Sequence, residues 1–239
     1  MSVVGVLARI TIRGLLGRRR FLLLLPLPLL LIAAATIGRI SGVDPSRWAD
    51  AVLSQVGFAV VLPLIAMIVG TGVLGSELED GSAVTVLTTP VPRGTIVLTK
   101  LAVAIGVTTA ATALPMFVAG VIVDSVRLGV GLAVGAFVGT VAYTTLFLAL
   151  SVVSRRPVLI ALGYLVIWEG TLVTVLSGVR WLSIRQFAVA VSDRVASTEL
   201  VTGTLSSLYA VLATAVLAVA ATTLAIDRLS AYSVRGETG

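Results

Sequence analysis

Long apolar stretches without charge alternate with short charged segments along the whole chain. Each stretch is about long enough to cross a membrane as a helix, because roughly 20 apolar residues span a hydrocarbon core of about 30 Å. None alternates apolar and polar residues over about ten positions, as a transmembrane β-strand would. The pattern predicts an all-α integral membrane protein in which 1–239 is a single transmembrane domain of six helices. The predicted spans are approximately residues 21–38, 51–75, 101–123, 128–154, 157–178 and 203–226.

The charged connections predict the orientation of these spans. Of the 17 Lys and Arg residues, 11 fall on the side of the N-terminus and 6 on the other, which favours cytoplasmic N- and C-termini. Before the first span, Arg9, Arg13 and Arg20 lie near one side of a helix, as in a short interfacial helix at the membrane surface. A basic flank that only sets the orientation is the alternative.

One external connection has a helical pattern of its own. Between residues 180 and 199, apolar residues recur at helical spacing beside charged ones. These apolar residues are Trp181, Ile184, Phe187, Val191 and Val195. The pattern predicts an external amphipathic helix before the sixth span, lying on the outer surface or capping the bundle. A simple surface connector is the alternative.

Composition excludes several classes of protein. With 58% hydrophobic and 12% charged residues and a mean hydropathy of +1.12, the chain cannot remain disordered in water. It has no Cys and no His, which removes zinc sites and catalysis by Ser-His or Cys-His pairs, and no metal site is predicted. The net charge of +6 is interpreted as a basic cytoplasmic rim facing anionic lipid; nucleic acid is not predicted as a partner.

The cytoplasmic connection between spans two and three, residues 76–100, carries the most specific signal. Glu77, Glu79 and Asp80 cluster where a helix N-terminus favours negative charge. A short helix is predicted from Gly81 to Thr88, because the proline at position 90 biases the residue before it away from helical geometry. The prediction is a rigid projecting helix; a solvated hairpin is the alternative.

At this loop the sequence resembles the transmembrane subunits of ABC transporters, specifically the type-two permeases found mainly in exporters. The family pattern has acidic residues, then Gly-Ser or Gly-Thr, a short apolar stretch, Pro, Arg and a later Lys. The matching residues are Glu77, Glu79, Asp80, Gly81, Ser82, Leu87, Pro90, Arg93 and Lys100. The motif covers about twenty-five residues, whereas the six-span architecture resembles the family over the whole chain.

The resemblance implies that the loop is a coupling helix seated in a cleft of a separate ATPase subunit. Two permease subunits, identical or paralogous, and two ATPase subunits would form the transporter, with ATP and Mg²⁺ on the ATPases. The chain itself lacks the phosphate-binding pattern G-x-x-x-x-G-K-[ST], since its one lysine, Lys100, follows a threonine. The chain is therefore predicted to be a permease and not an enzyme, exporting an unidentified substrate across a cell membrane, in particular a bacterial inner membrane. An ATP-independent secondary transporter or channel is the alternative.

One carboxylate lies within a predicted span. Glu169 is about 20 Å from the cytoplasmic end of the fifth span, and such a group usually faces the bundle interior or a wet cavity. Tyr143, Thr144 and Thr145 of the fourth span are at a similar depth and are hypothesised to donate hydrogen bonds to it. A structural hydrogen bond, a wall of the substrate path and a proton-coupling group remain open as its role.

Small residues and prolines add weaker predictions. Gly131, Gly135 and Gly139 repeat every four residues and predict a face for close helix packing, within the subunit or in a dimer. Pro63 and Pro115 lie inside spans and can kink them.

Overall fold

The structure is a computed structural model that describes residues 25–79 and 92–235, together with positions 5, 8, 9, 11 and 12. The side chains at 75–79, 177 and 231–235 are outside what it describes. These residues contain helices and no strand, so the predicted all-α class is confirmed for this part of the chain. Of the interfacial helix predicted before residue 21, positions 5, 8, 9, 11 and 12 are described and all five are helical. The start of the first span at 21–24 and the projecting helix at 81–88 fall outside the described ranges.

The described residues from 25 onward form seven helices. They are α1 (Pro26–Ile40), α2 (Ala51–Val61 continuing as Leu62–Glu79), α3 (Arg93–Val123), α4 (Val126–Val153), α5 (Pro157–Gly163 continuing as Tyr164–Leu172 and Val173–Val175), α6 (Ile184–Ala196) and α7 (Ser207–Arg235). Two short 3₁₀ turns, Pro45–Arg47 and Ser177–Leu182, lie in the connections before α2 and α6.

Five of these helices are long and apolar enough to cross a membrane. The qualifying parts are Ala51–Leu74, Arg93–Val123, Val126–Val153, Pro157–Val175 and Ser207–Ser230. They correspond to the second to sixth predicted spans. The helix at the first predicted span, Pro26–Ile40, is apolar but has 15 residues, so the count of six and the cytoplasmic placement of the termini stay predictions.

Two of the helices contain wide π-helical segments, Ala51–Val61 in α2 and Tyr164–Leu172 in α5. In a π-helix each N–H bonds to the carbonyl five residues back, and such segments are frequent at functional sites. The first one ends where the Leu62 N–H bonds to the Gly57 carbonyl, immediately before Pro63. Pro63 has no N–H and its ring crowds the carbonyl four residues earlier in a regular α-turn, so a wider preceding turn relieves that contact.

Helix α4 is the centre of the bundle, with α2, α3, α6 and α7 packed around it. Most buried apolar side chains form one core, and a second, smaller cluster lies where α2 ends and α3 begins. We call this end of the bundle the loop end. Its cluster consists of Leu74, Val97, Leu101, Leu148, Ala149, Val152, Ala221, Ala225 and Leu229, contributed by α2, α3, α4 and α7.

The predicted amphipathic helix exists as α6, but it does not lie on a surface. Ile184, Ala196 and the whole run from 187 to 192 are buried. Its small residues face the glycine face of α4: an added Cβ at Gly131 would lie 2.6 Å from Ala196 Cβ, and one at Gly135 would collide with the Ser192 side chain and the Ala188 carbonyl. The glycines thus allow α6 to pack closely on α4 of the same chain. Of the two predicted placements, the one on the outer surface is wrong, and capping of the bundle stays a prediction.

Candidate functional site

The predicted coupling loop joins the end of α2 to the start of α3. Arg93 and Lys100 are described, whereas Glu77 and Glu79 belong to the last turns of α2 without described side chains. The rest of the predicted coupling set lies outside the described residues: Asp80, Gly81, Ser82, Leu87 and Pro90. Helix α3 begins at Arg93, directly after Pro92, and Arg93 is half-buried there.

Lys100 ties the two sides of this loop together. Its side chain is 2% exposed, although a lysine is almost never fully buried without a partner. Its Nζ donates to the carbonyl oxygen of Val73 at 3.3 Å, across 27 residues of sequence, and so connects α3 to α2. The hydrogen bond and the aliphatic cluster of the loop end fasten the helices on both sides of the loop.

The second half of α2 is also packed directly on α4. An added Cβ at Gly70 would lie 3.0 Å from both the Thr144 carbonyl oxygen and Phe147 Cβ. Such a close approach is favoured because position 70 has no side chain. The second half of α2 is therefore in direct contact with α4 near Thr144 and Phe147.

Glu169 is the second buried charged residue of the bundle and is 6% exposed. Its carboxylate accepts three hydrogen bonds: Oε2 from Ser183 Oγ at 2.6 Å, and Oε1 from the Ile184 N–H at 2.9 Å and Tyr164 Oη at 3.1 Å. The short Ser183 contact has the length of a charge-assisted bond. Since all three partners are donors, the arrangement suits an ionised carboxylate.

Two of these donors belong to the first turn of α6. Ser183 is the N-cap of α6, and its Oγ also accepts from the Gln186 N–H at 3.2 Å. The first N–H groups of a helix have no partner inside the helix, and their aligned dipoles favour negative charge nearby. Glu169 supplies both the acceptor and the charge, so α5 holds the buried start of α6.

Of the hypothesised hydroxyl cluster, Tyr143 is brought to Glu169. At 0% exposed, it interacts with the Glu169 carboxylate and with Arg185. Thr145 donates to the Val141 carbonyl instead, and the Thr144 hydroxyl finds no hydrogen-bond partner within the described residues. The donors of the three hydrogen bonds described above are groups that the hypothesis did not name.

Sequence reasoning missed Tyr164 and Ser183 for separate reasons. Tyr164 precedes Glu169 by five residues, a spacing that faces away in an α-helix but comes closer in the π-helical segment. Ser183 was a recognisable N-cap, with helical periodicity directly after it. The local sequence does not reveal, however, that α6 begins at the depth of Glu169 in the folded bundle.

With this geometry established, the comparisons with known proteins become informative. The sequence matches the ABC-2 family transporter protein over residues 19–180, more than half of the chain. The chain belongs to the ABC-2 family of transporter proteins. Among curated proteins no sequence matches it.

Membership of the ABC-2 transporter family confirms the resemblance seen at the loop. The matched region contains α1 to α5, and so includes the coupling loop, Lys100 and Glu169, but not α6 or α7. The chain is accordingly a multi-pass membrane permease of the ABC type, a transport component that is not itself catalytic. In the described part of this ABC-2 protein, no group of His, Cys, Asp and Glu residues could hold a metal ion.

Proposed function

We propose that this ABC-2 protein is the membrane-spanning subunit of an exporter driven by a separate ATPase. Two such permease subunits, or one and a paralogue, assemble with two ATPase subunits that bind ATP and Mg²⁺. Closure of the ATPases pushes on the loop between α2 and α3, and the helices respond by alternating access. The proposed location is a cell membrane, in particular a bacterial inner membrane.

The observation that carries this proposal is the construction of the loop end. The loop bearing the family's coupling motif connects two helices that Lys100 fastens to each other through the Val73 carbonyl. A loop mounted on independent helices would absorb a push, whereas this one moves α2 and α3 together. Gly70 then passes the motion of α2 to α4.

The state of Lys100 also supports placing ATP on another subunit. A phosphate-binding loop needs a lysine that reaches the β- and γ-phosphates. The only lysine of the chain is buried, hydrogen-bonded to a helix carbonyl and surrounded in sequence by apolar residues. Its ammonium group is therefore used to join two helices and is not exposed for binding a phosphate.

Export is proposed because the connections opposite the loop end are short. The turn between α3 and α4 contains only Asp124 and Ser125, and the connection between α1 and α2 runs over residues 41–50. Neither offers a platform for docking a large capture protein, which importers commonly use.

Co-purification tests the proposal. The tagged chain extracted from its native membranes is expected to retain an ATP-hydrolysing subunit, and scrambling residues 81–90 at constant composition is expected to release it. Scrambling residues 41–47 on the opposite end is the matched control and should leave the complex intact. A chain that binds no ATPase, or that transports without ATP in vesicles, would instead support a secondary transporter or channel.

A further inference from the structure

Arg185, the second residue of α6, is a half-buried cation within the apolar bundle that forms no ion pair among the described residues. We propose that its guanidinium binds an anionic group, such as a carboxylate, phosphate or sulfate, of the transported molecule. The proposal rests on the proposed function, since it names the chemical class of what the permease carries.

The depth of Arg185 follows from how α6 lies on α4. The two helices are antiparallel: Ala196 faces Gly131, and Ala188 faces Gly135 and Gly139. The same register puts the start of α6 level with Tyr143, whose electrostatic interaction with Arg185 agrees with it. Tyr143 is ten residues before the end of α4, about 15 Å from the loop end at roughly 1.5 Å per residue.

Within the described part of the chain, Arg185 forms no ion pair and its buried Nε has no hydrogen-bond partner. Glu169 is the acidic residue closest in structure, through Ile184, but its two oxygens are engaged by three other donors. The Tyr143 hydroxyl next to these groups interacts with the same Glu169 carboxylate. An arginine remains charged and presents five N–H donors, so among the described residues this site has more donors than free acceptor positions.

Arg185 and its neighbour Gln186 are both half-buried, so each presents part of its side chain on the outside of this chain. A guanidinium facing lipid at such depth is costly, and intramembrane charges usually face a bundle interior or a water-filled cavity. The face formed by these two side chains therefore borders a polar path or another protein.

A second copy of this chain does not supply the missing anion. Among acidic residues with described side chains, five lie at the end opposite the loop end and one at the loop end itself. They are Asp44, Asp50, Asp124, Asp193, Glu199 and, at the loop end, Asp227. At the depth of Arg185 a second copy brings only Glu169, which is buried and engaged. The anion consequently arrives with the cargo, for which Arg offers a planar, bidentate donor pair.

The absence of Cys from the sequence makes a direct test possible. In the variant Gln186→Cys, the introduced thiol is the only one in the chain. Two thiosulfonate reagents of similar size are compared, one carrying a sulfonate and one a trimethylammonium group. We expect both reagents to react. The ratio of the sulfonate rate to the trimethylammonium rate should be roughly tenfold higher than for a free thiol in solution, because a unit positive charge lies within a few ångströms.

Arginine substitutions in the same background test whether Arg185 causes this preference for the anionic reagent. Arg185→Gln is expected to remove most of it, and Arg185→Lys, which also guards against misfolding, to keep it. Arg194→Gln, at the other end of the same helix, is the matched control and should change nothing. A thiol that reacts with neither reagent, or a preference that survives Arg185→Gln, would overturn the proposal.

Matched hydrophobic ions then test anion binding itself. Tetraphenylborate is expected to slow labelling at position 186, tetraphenylphosphonium of the same shape is not, and Arg185→Gln should abolish the protection. Equal protection by both ions, or none, would show that Arg185 does not select anions. Labelling needs no ATPase, so it tests the anion site separately from the co-purification that tests the proposed function. If the chain from native membranes retains no ATPase but shows the charge preference, the proposed function is refuted and the anion site stands.

Discussion

Among the described residues, two charged side chains are buried, Lys100 and Glu169, and they are accommodated in opposite ways. Lys100 donates at 3.3 Å to the carbonyl of Val73, within α2, and lies beside an aliphatic cluster. Glu169 accepts three shorter hydrogen bonds, two of them from the start of another helix. The difference teaches that Glu169 anchors the start of α6, whereas Lys100 joins two helices that also pack through aliphatic side chains.

The largest effect is expected from Glu169→Leu. Two buried donors and the half-buried Tyr164 hydroxyl lose their acceptor and the first turn of α6 loses its countercharge, so the free energy of unfolding should fall by about 3–5 kcal/mol. Reversible unfolding in mixed micelles measures it. Glu199→Leu, at an exposed position, is the control and should stay within about 0.5 kcal/mol of the parent. Equal losses for the two variants would mean that Glu169 does not anchor α6.

Gly135→Ala tests whether close packing along the side of α6 contributes to stability, in addition to the anchoring of its first turn. The added Cβ meets the Ser192 side chain and the Ala188 carbonyl, so overpacking should lower the free energy of unfolding by about 1–3 kcal/mol. Gly106→Ala, in α3 where an added Cβ meets nothing within 4 Å, is the control and should be neutral or stabilising by up to about 1 kcal/mol. A neutral Gly135→Ala would show that α6 can shift on α4 without cost.

Glu169→Gln separates charge from hydrogen bonding. The amide oxygen can still accept from Ile184 and Tyr164, and the NH₂ can donate to Ser183 Oγ, which reverses that bond. The charge at the helix N-terminus and the acceptor of the Ser183 hydroxyl are therefore lost, while contact between the groups is kept. The expected loss is about 1 kcal/mol by the same unfolding measurement. Transport measured in vesicles decides a further question, because unchanged transport in this variant would exclude proton coupling through Glu169.

The smallest change in stability is expected from Lys100→Met. Replacing the buried ammonium by an apolar side chain of similar length removes its hydrogen bond but also the cost of burying a charge, so the free energy of unfolding should change by less than about 1 kcal/mol. The tie between α2 and α3 is nevertheless lost, and the amount transported per ATP hydrolysed should fall. A stability loss as large as that of Glu169→Leu would contradict the contrast between the two charges.

The sequence predicted the helical class and five of the membrane-crossing helices because these follow from local properties. An apolar run of sufficient length must be a helix in lipid, whatever it packs against. Pro157 opens α5 as expected, since a proline suits the first position of a helix. Burial of Glu169 was predictable in the same way, from the cost of exposing a carboxylate to lipid.

The hydrogen-bond partners of Glu169 could not be predicted from spacing alone. The donors one α-turn away were correctly found to be absent, but the π-helical segment brings Tyr164 closer from five residues back. The other donors come from Ser183 and Ile184, which reach Glu169 only because the chain turns back after α5.

For this ABC-2 protein, the amino-acid sequence by itself determined the apolar helices, the charged loops between them and the motif that marks its family. Only the tertiary structure decided that the glycine face of α4 receives α6, that Lys100 joins α2 to α3, and that Arg185 forms no ion pair with the other described residues. The physical reason is that hydropathy and propensity act along the chain. Which side chains meet depends instead on the rotation and offset of helices that are far apart in sequence.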